Sequence, residues 1–258
     1  MTLRTRIIPC LQLVNENLVK TVKFSKPAYI GDFSNTVRIF NELEVDELCF
    51  LSIRATLNNS TPNIRILSMI AEECFMPLSY GGAINEFETA KKIFKIGFEK
   101  IVINSCSFEN PDFIRKLSEH FGSQSVIASI DVKKNIFGHY HVYSHSGTRK
   151  QKVPPVEWAQ KMEEYGAGEI LLTSINNDGT WLGYDLQITK SVTEKVSIPV
   201  IANGGAGKIS DFRQAIEEGN ASALGVGSMV VYQNKGLGVL VNFPKKQLLE
   251  SLQQIDSI

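Results

Sequence analysis

The run Pro199–Lys208, PVIANGGAGK, places three glycines between a short β-branched stretch (Val200, Ile201) and a helical pattern that starts at Ser210. Glycine has no Cβ, so such a turn can bring consecutive N–H groups close to a ligand. Between a strand and a helix the fitting ligand is an anion, most often phosphate. A purely structural turn would use the same residues. A second copy, PLSYGGA at Pro77–Ala83, again ends an extended run in glycines ahead of a helical pattern from Glu86. Each copy has a later landmark, IVINS at Ile101–Ser105 and ALGVGS at Ala223–Ser228. One sequence offset relates both Gly82 to Gly205 and Ser105 to Ser228, which predicts two similar halves, each with its own phosphate cradle. Asp131, flanked by Ile130 and Val132, ends an apolar run between them. A carboxylate in a partly dry site tends to a raised pKa, which suits a general base; anchoring the polar segment that follows is the structural alternative.

The elements that must position these residues alternate. Apolar strand patterns fall at Ile7–Leu13, Leu48–Ile53, Pro77–Tyr80, Ile101–Asn104, Ser125–Val132, Glu169–Ser174, Val196–Asn203 and Ser222–Gly227. Helical patterns fall at Asn35–Leu43, Ile64–Cys74, Glu86–Ile96, Pro111–His120, Pro155–Tyr165, Leu186–Thr193 and Ser210–Glu217, with a closing helix at Lys245–Gln254. Continuously apolar strands separated by helices indicate a parallel sheet. Eight such units in 258 residues predict α/β architecture, a single (β/α)8 TIM barrel with a two-fold half-barrel repeat. The whole span 1–258 reads as one domain, with half-barrels at about 1–120 and 121–258. In this fold the active site lies at the C-terminal ends of the strands. Two segments interrupt the rhythm there. Val14–Asp32 reads as a long loop, and Lys133–Val153 as a small hairpin; loops of this length are often lids.

Bulk properties narrow the function. Lys plus Arg equals Asp plus Glu, so the chain lacks the basic footprint of a nucleic-acid binder. Cys10, Cys49, Cys74 and Cys106 form no Cys-x-x-Cys pair, and free thiols in a reducing cytoplasm are expected. His139, His141 and His145 share one polar segment without the partners of a zinc site, and read as loop or hairpin residues. The apolar run near the N-terminus is short and interrupted by Gln12, so no signal peptide is expected. No stretch is long enough for a membrane span.

The segments RIIPCL, VDELCFL, YGGAINEFETA, KIVINS, FGSQSVIASIDVKK, YGAGEILLTSINNDGTWLGYD and IANGGAGK span nearly the whole chain. Together they resemble the cyclase subunit of imidazole glycerol phosphate synthase, HisF. The resemblance implies a barrel that uses ammonia from a HisH-type glutaminase, as a heterodimer. Its substrate is a formimino carboxamide ribotide with a phosphate at each end, and it implies no cofactor and no metal. By position, one phosphate site falls on Gly82, Asn104 and Ser105, the other on Asp178, Gly179, Gly205, Gly227 and Ser228. Lys20 matches a mobile-loop lysine, Thr173 a hydroxyl near the reacting centre, and Asp131 one of two catalytic aspartates. Arg6, Glu47, Lys100 and Glu169 match a charged ring that gates ammonia at the barrel floor, and Glu99 an interface acid.

The mouth departs from that family. Gln12 stands where the second catalytic aspartate is expected, and it cannot transfer a proton at neutral pH. Ser52 and Asn176 replace acidic positions, and Ala83 replaces a cradle glycine. An intact floor with an altered mouth resembles second-copy HisF-like proteins of surface-polysaccharide pathways. There the pair is taken to feed ammonia to a separate sugar amidotransferase that makes an acetamidino sugar. Three readings therefore stand: a cyclase, an ammonia-conducting module, and a HisA-type isomerase. The last needs an acid–base pair at the first and fifth strands and has no use for the floor ring.

Overall fold

The computed structural model describes residues 5–250. Its barrel strands are β1 (Arg6–Val14), β4 (Leu48–Ser52), β5 (Leu78–Gly81), β6 (Lys100–Ile103), β7 (Val126–Lys134), β10 (Glu169–Ser174), β11 (Val200–Asn203) and β12 (Ala223–Val226). Each pairs in parallel with the next, and β12 pairs with β1, so the sheet closes. Closure removes the open edges that a sheet of such apolar strands would otherwise expose. Both faces are buried, for different partners. Ile7, Leu11 and Leu13 of β1 pack outward with the helices, whereas Ile8 and Cys10 point into the bore beside Cys49, Val102, Ile127, Leu171 and Ile201.

The outer helices are α1 (Phe33–Glu42), α2 (Ile64–Glu73), α3 (Phe87–Lys95), α5 (Asp112–Phe121), α6 (Pro155–Glu164), α7 (Leu186–Thr193) and α8 (Ile209–Glu217). Three start on side-chain caps: Asp32, Asn63 and Asp185 each accept the N–H three residues on. Such a cap satisfies an amide the helix leaves unpaired and is worth about 1 kcal/mol. Two helices escaped the sequence reading, α4 (Ser105–Glu109) and α9 (Ser228–Val231), which follow β6 and β12. The tail is helical at α10 (Lys246–Glu250), one residue later than the expected start at Lys245; residues 251–254 of the expected closing helix, and residues 1–4 and 251–258 of the expected domain, lie outside the described residues.

The segment Val14–Asp32 is not a plain loop. It carries β2 (Asn17–Lys20), antiparallel to β1, and β3 (Ala28–Gly31), antiparallel to β2. The hairpin after the fifth barrel strand is present as β8 (Tyr140–Ser144) and β9 (Arg149–Lys150), with β8 antiparallel to the extension of β7. Both β1 and β7, opposite one another in the barrel, thus run past it into an antiparallel excursion over the mouth. Asp131 consequently does not end its strand: it pairs with Thr173 in the barrel and with Tyr143 in the hairpin, and β7 continues to Lys134.

Candidate functional site

The C-terminal ends of the strands surround a cavity of about 460 Å³. Gln12, Lys20, Gly82, Asn104, Ser105, Asp131, Thr173, Asp178, Gly179, Gly205, Gly227 and Ser228 all line it, so residues far apart in sequence meet in one chamber. Ser52 and Ala83 also face it. Asn176 does not: its amide bonds the backbone N–H and C=O of Lys134 (2.7 and 3.2 Å) and pins the β7 extension. The cradle glycines have packing reasons of their own. A Cβ on Gly82 would lie 2.6 Å from Ser52 Cβ, and one on Gly205 would lie 2.0 Å from the Gly183 carbonyl oxygen. Ala83 adopts a left-handed φ of 51°, where a side chain is strained.

Asp131 is buried, and its Oδ2 accepts from Asn104 Nδ2 at 3.1 Å. Burial, and then the charge of Asp178, push its pKa up to about 7, against the pull of hydrogen bonds from Asn104 and Ser129. A carboxyl poised there can take or give a proton near neutrality. Thr173 Oγ1 accepts from Asn203 Nδ2 at 3.0 Å. Gln12 is tied down: its Oε1 accepts from the Thr21 backbone N–H at 2.9 Å.

The two excursions roof the chamber. Lys20 Nζ lies 2.7 Å from Asp178 Oδ1 in a buried ion pair, and Thr21 Oγ1 donates to Asp178 Oδ2 at 3.1 Å. Removing one partner of such a pair strands a charge away from water, so the β1 excursion is strongly latched. The same lysine packs on the second cradle, since a Cβ on Gly227 would lie 3.0 Å from Lys20 Cε. From the other side, the β8–β9 turn reaches the first cradle. His145 N–H donates to Ser105 Oγ at 3.0 Å, and the Ser146 hydroxyl donates to the Ile53 carbonyl. The excursions meet where Gly147 faces Phe24; a Cβ there would lie 3.0 Å from Phe24 Cδ2. His145 therefore lines the chamber, unlike His139 and His141. The polar segment was legible as a lid, but its reach across the mouth depends on tertiary contacts. Among the described residues no group of His, Cys, Asp and Glu is arranged to hold a metal ion, and no helix is long and apolar enough to cross a membrane.

At the opposite end four side chains close the floor. Arg6 contacts Glu47 (2.8 Å) and Glu169 (3.1 Å), and Lys100 contacts Glu47 (3.2 Å) and Glu169 (2.9 Å). Arg6, Lys100 and Glu169 begin β1, β6 and β10, and Glu47 immediately precedes β4. All four fall on one ring because parallel strands start at one level. Glu47 Oε1 is buried without a hydrogen-bond partner among the described residues, and Glu47 also lines a cavity of about 10 Å³ just inside the ring. Glu99, beside the ring, is exposed.

A family model described as histidine biosynthesis protein matches residues 6–236. A Pseudomonas aeruginosa protein provisionally named imidazole glycerol phosphate synthase subunit hisF2 is 46% identical over 247 residues, covering 96% of this chain and 98% of its own. A Leptospira interrogans protein, provisionally named imidazole glycerol phosphate synthase subunit HisF, is 42% identical over 251 residues, with 97% and 99% covered. The imidazole glycerol phosphate synthase subunit HisF of Alkaliphilus metalliredigens is 40% identical over 251 residues, with 97% and 96% covered.

Proposed function

This chain belongs to the histidine biosynthesis protein family, among the HisF-like imidazole glycerol phosphate synthase subunits, and we propose that it works as a cyclase subunit. It takes ammonia from a HisH-type glutaminase docked at the floor. It converts a bis-phosphate formimino carboxamide ribotide to imidazole glycerol phosphate and aminoimidazole carboxamide ribotide. The observation that carries this reading is the roofed chamber, which gathers both glycine cradles around Asp131, a carboxyl poised near neutrality. Gly82, Asn104 and Ser105 would hold one phosphate. Gly179, Gly205, Gly227 and Ser228, with Lys20 at their side, would hold the other. Arg6, Glu47, Lys100 and Glu169 would admit ammonia into the apolar bore, where an uncharged molecule loses little on entry. Thr173 would contact the reacting centre. The defining experiment mixes the protein with its glutaminase, glutamine and the bis-phosphate, and assays imidazole glycerol phosphate. Glutamine consumed without that product would refute the reading.

A second reading has one observation in its favour. Gln12 replaces an expected proton carrier, and its side chain is committed to the lid. In that case the barrel and its glutaminase deliver ammonia to a separate amidotransferase that makes an acetamidino sugar for surface polysaccharide. Ammonia reaching such an enzyme only when this protein is present, with no cyclase product, would select it.

A further inference from the structure

A reaction that moves protons at several steps needs a second proton carrier near Asp131, and the chamber offers few. The Gln12 amide cannot serve. Lys20 and Asp178 neutralise each other in their buried pair. The Arg54 guanidinium offers donors only and no acceptor. Glu86 and Glu109 lie exposed at the rim, and Glu109 is held by Arg149 of the β8–β9 hairpin at 3.4 Å. A hydrogen bond with Cys49 and burial keep the Cys10 thiol protonated, and burial does the same for Cys106. His145 remains.

Its placement is specific. The backbone there is left-handed, with φ of 52° at His145 and 54° at Ser146, conformations that are strained for non-glycine residues and persist where surrounding contacts impose them. Its N–H donates to Ser105 Oγ (3.0 Å), Ser105 Oγ lies 3.4 Å from Asn104 Oδ1, and Asn104 Nδ2 donates to Asp131 Oδ2 (3.1 Å). A chain of three hydrogen bonds thus fixes the His145 turn relative to the Asp131 carboxyl. The ring is oriented too. Ser144 Oγ accepts from Gln151 Nε2 at 2.7 Å and keeps a second lone pair for His145 Nδ1–H at 2.9 Å. In that tautomer His145 Nε2, which has no partner among the described residues, presents the lone pair that takes a proton and gives it back. Imidazole is the side chain suited to both giving and taking a proton near neutral pH.

We propose that His145 is the second proton-carrying residue of the mouth, acting on the bound substrate with Asp131 in place of the side chain at position 12. The inference rests on the cyclase reading. Its test uses the full-length protein with ammonium salt as the ammonia source and the bis-phosphate as substrate. Asparagine tolerates a left-handed backbone, so His145→Asn keeps the turn and removes the proton carrier. Its turnover should fall by about 10²- to 10⁴-fold, with KM changed far less and one limb of the bell-shaped pH profile lost. His145→Gly, equally at ease in that conformation, should regain at least about tenfold in turnover on adding imidazole. A proton carrier can be replaced in this way and a structural residue cannot. Turnover in His145→Asn close to wild type with an unchanged pH profile, or no response of His145→Gly to imidazole, would overturn the role of His145 alone. Wild-type protein without turnover would refute the cyclase reading and this inference with it.

Discussion

Replacing Asp131 by asparagine should make the protein more stable while it abolishes turnover, and the gain should depend on pH. The folded carboxyl titrates at about 7, against an ordinary value of 3.8, because burial and then Asp178 disfavour its charge. The folded state therefore holds this proton longer than the unfolded chain does. The stability linked to it is fully present below about pH 4, is lost as pH rises towards 7, and stays lost above. A gap of about three pH units at about 1.4 kcal/mol each is worth on the order of 4 kcal/mol. Asparagine has nearly the same shape, can accept the Asn104 bond, and has no charge to desolvate. Urea unfolding of both proteins at several pH values is the assay. Asp131→Asn should be more stable by up to about 4 kcal/mol at pH 8, with the difference shrinking towards pH 4. Two stability curves separated by a constant amount across that range would refute the reasoning, because the carboxyl would then titrate alike in both states.

Three further predictions concern other parts of the molecule. Lys100→Ala leaves Glu47 and Glu169 with Arg6 alone, so stability should drop by about 3–5 kcal/mol and glutamate formed per product should rise; an unchanged ratio would remove the gate role. Ala83→Gly relieves a left-handed alanine and should raise stability by about 1 kcal/mol in thermal melting, whereas a lower melting point would show that the strain is absent. Gln12→Asp in the His145→Asn background returns a proton carrier to the mouth and should raise cyclase turnover by up to about a hundredfold over His145→Asn alone, and no gain would mean that position 12 does not serve the reaction.

The barrel strands were legible because each is a continuous apolar run, and their observed limits lie within a few residues of the pattern. β2, β3, α4 and α9 were not. Segments of four or five residues are too short to show a period of two or 3.6 above their surroundings. The chamber residues that glycine or an acid in an apolar run marked out were visible in the chain. The Lys20–Asp178 latch was not, since it joins side chains 158 positions apart. Nor was His145, whose place depends on how far the hairpin leans over Ser105 and Ile53.

The floor ring has an electrical consequence. Two cations alternate with two anions around the barrel axis, each touching both neighbours of opposite sign. Such a quadrupole has no net charge, and its potential largely cancels on the axis. An ammonium ion entering there meets no attraction to offset the loss of its hydration in the apolar bore. A neutral ammonia molecule loses far less and finds an uncommitted acceptor in Glu47 Oε1. If ammonia enters at the floor as proposed, the ring would sort by protonation state as well as by size, and nitrogen would cross the barrel as the free base, the only form with a lone pair to attack.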